Sequence, residues 1–167
     1  MVKGLVVGIL LGILLIACGG YLYFSTGRAP AAVTDPPMPF EKKLAKMALS
    51  AHIAKEKIPE SPVAADEKSY LSGAEVYKQH CAVCHGLPDQ PKTAIAQGMY
   101  PPPPQLFEQL VTSDPEGITF WKVTNGIRMT GMPAFQHTLS DTERWQVTML
   151  LAHADRLPAQ ILSSLTP

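Results

Sequence analysis

The longest apolar run comes first: from Gly4 to Phe24 no residue is charged. At 1.5 Å per residue, about 21 helical positions reach roughly 31 Å, the thickness of a bilayer's hydrocarbon core. Residues 1–24 are therefore predicted to form a transmembrane anchor. Polar positions take over at Ser25, and residues 25–69 read as a linker. Within it Phe40, Leu44, Met47, Ala48 and Ala51 recur at helical spacing, while Glu41, Lys42, Lys43, Lys46, Lys55 and Lys57 fill the other faces. This pattern predicts a short amphipathic helix from about 40 to 56, closed by Pro59 and Pro62. A globular segment, residues 70–167, is expected to follow, entered near Asp66 to Tyr70.

In that segment Ser72 and Glu75 read as a capping box opening a helix that runs into Cys81, with Gly73 and Tyr77 on one face. Leu106 and Phe107 are expected in a short helix. Ile118, Phe120, Trp121 and Val123 form an apolar cluster of core candidates. A second capping box, Ser140 with Glu143, opens a last helix whose stripe is Trp145, Met149, Leu150 and Ala152 and whose end is marked by Leu157 and Pro158.

Charge adds little. Lys and Arg total 14, as do Asp and Glu, so nothing recommends a nucleic-acid partner. From Tyr70 onward six basic residues face eight acidic ones, a net of about −2, and no basic docking ring is evident. Pro30, Pro36, Pro37 and Pro39 make the start of the linker extended and stiff. Lys3 before the apolar run orients residue 1 toward the cytoplasm by the positive-inside tendency. Leu15, Ile16, Ala17 and Cys18 also resemble a lipobox, after which a lipoprotein signal would be cleaved and Cys18 acylated. The uncleaved helix is the favoured reading, because the run continues through Tyr21, Leu22, Tyr23 and Phe24, aromatics suited to an interface. Both readings make a tether.

The cysteines change the picture most. Cys81, Ala82, Val83, Cys84 and His85 spell C-x-x-C-H, the spacing of covalent c-type haem attachment. Thiols on adjacent helical turns can each join one haem vinyl group, and the next residue offers its imidazole to the iron. A redox dithiol would want a βαβ setting, and a zinc site two further ligands. Neither is evident, since Cys18 lies in the tether and the remaining histidines are scattered. His80, His52, His137 and His153 are read as surface or loop residues.

One histidine leaves the other face of the haem open. Met132, between Gly131 and Pro133, is the chosen sixth ligand: a thioether suits low-spin iron, and its neighbours fix the loop. Met129, three residues away, is the chemically competent rival. Tyr100 to Pro104 ends in four prolines and cannot continue a helix. The Pro104 carbonyl is free either to accept the Nδ1 proton of His85 or merely to belong to a rigid turn. Leu106 and Trp121 are candidates to face the haem; for Trp121 the choice is between packing and an indole hydrogen bond to a propionate.

Taken together, Gly73 and Tyr77 before Cys81–His85, Pro104 with Leu106, Asn125–Ile127 before Gly131–Phe135, and Leu139–Trp145 give a resemblance to class I c-type cytochromes over roughly residues 70 to 157. The resemblance implies an all-α haem domain whose N- and C-terminal helices cross through Gly73, Tyr77 and Trp145. It also implies one haem c with His85 and Met132 as axial ligands and the Pro104 carbonyl as the partner of His85. The Pro-rich loop is longer than in small soluble members, and the anchor and linker lie outside the common domain. The implied place is the periplasmic side of a bacterial inner membrane, held by one span. The expected function is one-electron transfer between redox partner proteins, without net chemistry. The alternatives are a permanently bound subunit of a respiratory or photosynthetic complex and, in a different class, a haem peroxidase or gas sensor with an open iron position.

Overall fold

The computed structural model describes residues 2–166; the outermost residues of the expected anchor and of the expected globular segment, Met1 and Pro167, lie outside the described residues. Eight helices and no strand are found among them: α1 (Val2–Ser25), α2 (Glu41–Ile53), α3 (Glu67–His80), α4 (Ala82–His85), α5 (Ala94–Gln97), α6 (Glu116–Asn125), α7 (Asp141–Ala152) and α8 (Ala159–Ser164). The chain divides into two compact units, one running to Lys43 and the other beginning at Leu44.

The first unit holds α1, which buries none of its residues and is long and apolar enough to cross a membrane. A polar turn follows it, in which the Asp35 carboxylate accepts from the Ala31 and Ala32 amides, both at 2.9 Å. Those two donors hold its carboxyl below the ordinary range.

The second unit is built on α3 and α7. At their contact Gly73 presents its bare Cα to the backbone of Gln146 and to Leu150. Tyr77, Val147 and Leu150 are fully buried around it. Trp145, one residue from the close contact and so about 100° round the helix, turns to α6 and stacks on Phe120 with ring centroids 4.0 Å apart. The crossing partner of Gly73 is thus Gln146 with Leu150 and not Trp145. After α7, Leu157, Ile161 and Leu165 fold back into the same core. Helix α8, which carries Ile161 and is capped by Leu165, was not expected.

Several element boundaries also differ from expectation. Helix α3 starts at Glu67, where the Asp66 side chain accepts from the Ser69 amide at 2.8 Å. Ser72 and Glu75 lie inside this helix. The Asp66 cap sets this earlier start, and Ser69, whose amide it accepts, is buried. Leu106 and Phe107 sit in a single turn closed by Gln109 N donating to Gln105 O at 2.7 Å, and not in a helix. Helix α2 is shorter than expected. Its last residue, Ile53, is buried and His52 lies 5.6 Å from the Trp121 ring, while Leu44 and Met47 remain exposed.

The start of α7 follows the pattern read from the sequence. Ser140 Oγ accepts from the Glu143 amide, and the Glu143 carboxylate accepts from Ser140 N at 2.8 Å and Ser140 Oγ at 2.7 Å. These hydrogen bonds, the hydroxyl first and the amide second, hold the Glu143 carboxyl below its ordinary 4.5. A carboxyl whose folded value is depressed adds stability above its unfolded value and loses it as pH falls through the folded one. Ser140→Ala is therefore expected to lower Tm by a few degrees at neutral pH. Its deficit against the wild type should shrink as pH falls below 4.5, measured by circular dichroism. A deficit constant over that range would show that the capping box does not titrate.

Candidate haem-binding site

The attachment segment begins with a break in a helix. At Cys81 the backbone leaves α3 with φ −112°, and α4 supplies one further turn that ends at Gly86. The His85 amide donates to Cys81 O at 2.8 Å, so the two cysteines and the histidine share one hydrogen-bonded turn. From below, buried Tyr77 donates its hydroxyl to Gly86 O at 2.8 Å and meets Phe107 edge-on at 5.2 Å. Burial, and secondarily the nearby Cys81, keep this phenol well above its ordinary value, so it remains a donor. Removing the hydroxyl with Tyr77→Phe leaves a buried carbonyl without its partner. It should cost about 1–3 kcal/mol in chemical denaturation, and an unchanged denaturation midpoint would deny this bond a structural role.

Cys81, Cys84 and His85 open onto a cleft whose non-atom space, its mouth included, is about 1160 Å³. Pro101–Pro104, Leu106, Val111, Val123, Leu151, Ile127, Gly131–Pro133 and Phe135 line it. His85 Nδ1 lies 2.8 Å from Pro104 O. A carbonyl only accepts, so Nδ1 carries the proton and Nε2 keeps its lone pair. Burial lowers the basicity of this imidazole and the Pro104 carbonyl partly restores it; the net direction is down, toward the neutral form a metal needs. Burial, and then Cys84, push the Cys81 thiol up to about 12. Apolar walls, two thiols and an imidazole around one cleft are what a covalently held haem requires.

Of the residues singled out in the sequence, Cys81, Cys84, His85, Pro104, Leu106 and Met132 all line this cleft, whereas Trp121 does not. Its ring packs against His52 instead. The neighbouring Lys122 and, one turn earlier, Thr119 are the α6 residues that face the cleft with Val123. Met129 is 72 % exposed and lies away from it, with φ +62°.

Three residues carry more than the sequence indicated. His80 lines the cleft and meets Phe135 edge-on, so it is no simple surface residue. His153 is buried, with Nδ1 3.0 Å from Met149 O and Nε2 3.6 Å from Glu116. Met99 is a second thioether in the cleft, its methyl occupying the space where a side chain on Gly131 would stand. No local signal marks Met99; the proline run alone carries it across.

Residues 68–149 match the family described as cytochrome C oxidase, cbb3-type, subunit III. No curated protein matches the chain. Among solved structures, a chain of the Kuenenia stuttgartiensis reducing HAO-like protein complex is similar at 24 % identity and a TM-score of 0.47, the match covering 63 % of this chain and 54 % of that one. The chain thus spans about half the length of that relative. The C-x-x-C-H turn, the cleft it opens onto and the family match converge: residues 68–149 form a c-type cytochrome domain similar to cbb3-type subunit III, which implies haem binding and electron transfer.

Proposed function

We propose that the chain is a membrane-tethered, mono-haem electron carrier and not itself an enzyme. In this reading Cys81 and Cys84 would hold the haem as thioethers, and His85 Nε2 and Met132 Sδ would ligate its iron. The observation that carries it is the meeting of these four side chains around one apolar cleft, with His85 Nδ1 committed to Pro104 O at 2.8 Å. The haem would supply the one-electron couple, and ligation by both an imidazole and a thioether would raise its potential. The protein's part is to keep the imidazole neutral and oriented, to exclude water with prolines and aliphatic side chains, and to leave no position open for a substrate.

The loop geometry favours Met132 as the sixth ligand. Met132 N donates to Thr130 Oγ1 at 3.1 Å, and Met132 O accepts from Ile127 N at 3.3 Å, so its backbone is held from both sides. The exposure of Met129 removes the rival expected from the sequence, and Met99 takes its place. Met132→Ala is expected to abolish the methionine-to-ferric-iron charge-transfer band; a persisting band would transfer the role to Met99. The intact mass should show one haem. Rapid carbon monoxide binding by the reduced protein would reveal an open iron position and overturn the carrier reading.

Helix α1 serves as the tether, followed by the linker and then the haem domain on the periplasmic side of a bacterial inner membrane. A tether raises the carrier's concentration near its partners. Mass spectrometry of the mature protein distinguishes an intact apolar helix from an acylated Cys18. The family description names an oxidase subunit, which favours a second reading, a cytochrome subunit permanently bound in a respiratory complex. A stable complex co-purifying in mild detergent supports that reading, and a chain migrating alone supports the free carrier.

A further inference from the structure

A haem is apolar except at its two propionate carboxylates, and burying a carboxylate without a partner is costly. The cleft's lining is correspondingly apolar, yet at one place it is not. Among the described residues that line it, Lys122 is the only Lys, Arg, Asp or Glu. Its Nζ lies 2.6 Å from Asp114 Oδ2. An ammonium has three donors, so the Asp114 contact leaves others available.

One turn earlier on the same face of α6 stands Thr119. It lines the cleft at 5 % exposure, and its buried hydroxyl has no hydrogen-bond partner within the protein. Folded proteins rarely leave such a group unsatisfied, so this hydroxyl marks the place of an absent acceptor. The other threonine of the lining, Thr130, is already used: its hydroxyl donates to Ile127 O at 2.6 Å and accepts from Met132 N. His85 Nδ1 is committed to Pro104, and the His80 ring packs edge-on to Phe135. Trp121, the propionate donor considered from the sequence, lies outside the cleft.

We propose that Lys122 and Thr119 together hold one haem propionate, with Asp114 orienting the lysine. This rests on the haem reading given above. The carboxylate accepts from the ammonium and from the threonine hydroxyl, and the hydrogen bond that Thr119 lacks is thereby supplied. The lysine's charge also favours the reduced haem, since an added electron is stabilised by a nearby cation.

The test uses the full-length, haem-loaded protein in detergent, with the haem propionate carboxylates labelled with carbon-13. Reduced-minus-oxidised infrared difference spectra are recorded for the wild type, Thr119→Val, Lys122→Gln and Lys122→Arg. Thr119→Val and Lys122→Gln should shift the same labelled carboxylate band, and Lys122→Arg should return it close to the wild-type position. Lys122→Gln should also lower the midpoint potential, while the visible spectrum keeps its axial-ligand signature. If Lys122→Gln lowers the potential but neither variant moves the labelled band, the lysine acts only through space and the proposal is overturned. A band that Lys122→Gln moves and Thr119→Val does not would remove Thr119 from the site and also overturn the paired assignment. Failure of the haem reading itself would appear separately, as a wild-type protein with no covalently attached haem.

Discussion

Gly126→Ala is expected to destabilise the haem domain by about 3–5 kcal/mol and, at the same time, to weaken or remove the methionine-to-iron band. Two costs coincide at this residue. Gly126 closes α6 with φ 68° and ψ −174°, a region that side-chain-bearing residues scarcely enter. A Cβ there would stand 2.7 Å from Pro133 C and 2.8 Å from both Ala134 N and Met132 O. All three are backbone atoms, so no side chain can swing aside. The loop they belong to is laced to the end of α6 by Phe135 N donating to Val123 O at 3.1 Å and Gln136 N to Thr124 O at 3.2 Å. Moving it to admit a methyl group would strain those bonds and displace Met132. Thermal unfolding should show a loss of at least ~10 °C in Tm. The ferric spectrum at low temperature should show the band reduced before any unfolding. A variant with wild-type Tm and an intact band would mean that the loop does not depend on this close approach.

The second large effect is at Gly73. Gly73→Ala should cost about 2–4 kcal/mol, because the new Cβ would be driven into the Gln146 carbonyl and would come within 3.1 Å of Leu150 Cβ. The contact is between two helix backbones, and relief requires α3 and α7 to separate. Separation would open the packing of Tyr77, Val147 and Leu150, which are fully buried at that junction. Unlike Gly126→Ala, this change should leave the iron's ligand band intact while the protein is folded, since the Met132 loop is not touched. Denaturant titration of both variants, with the band followed in parallel, separates a pure packing defect from a ligand-loop defect. Gly73→Ala with an undisturbed denaturation midpoint would contradict the close helix contact.

Both predictions concern glycines whose significance differed in the sequence. Gly73 shares a face with Tyr77 in the sequence pattern, and the resemblance pairs it with Trp145, whereas the nearest atoms in the fold are those of Gln146 and Leu150. Whether Trp145 or Gln146 meets it depends on the rotation of α7, and in the fold the Trp145 ring stacks on Phe120 of α6. Gly126 appeared within a motif, without the backbone approach that makes it necessary.

Local chemistry was legible wherever the interacting groups lie within a turn of one another. The C-x-x-C-H segment closes on its own hydrogen bonds, Ser140 finds Glu143 three residues on, and the long uncharged run is a helix of membrane length whatever surrounds it. The all-helical architecture and the c-type cytochrome domain followed from these and from the family resemblance. The true start of α3 did not. Asp66 and Ser72 both offer acceptable caps, and the helix that forms is the one in which the Asp66 carboxylate accepts from the Ser69 amide.

The finer composition of the cleft was decided by tertiary structure alone. Apolar pattern pointed Trp121 inward, yet its ring meets His52 of α2, and Lys122 and Thr119 are the α6 residues that line the cleft with Val123. Met99 reaches Gly131 from more than thirty residues away, and Met129, close to Met132 in sequence, ends in solvent. By itself the sequence determined that there is a two-thiol, one-imidazole attachment turn and an apolar anchor-length helix, because spacing along one chain settles both. Which face of α6 meets the cleft, and which thioethers share it, was decided only by the fold, because those contacts join segments whose approach depends on the packing of every helix between them.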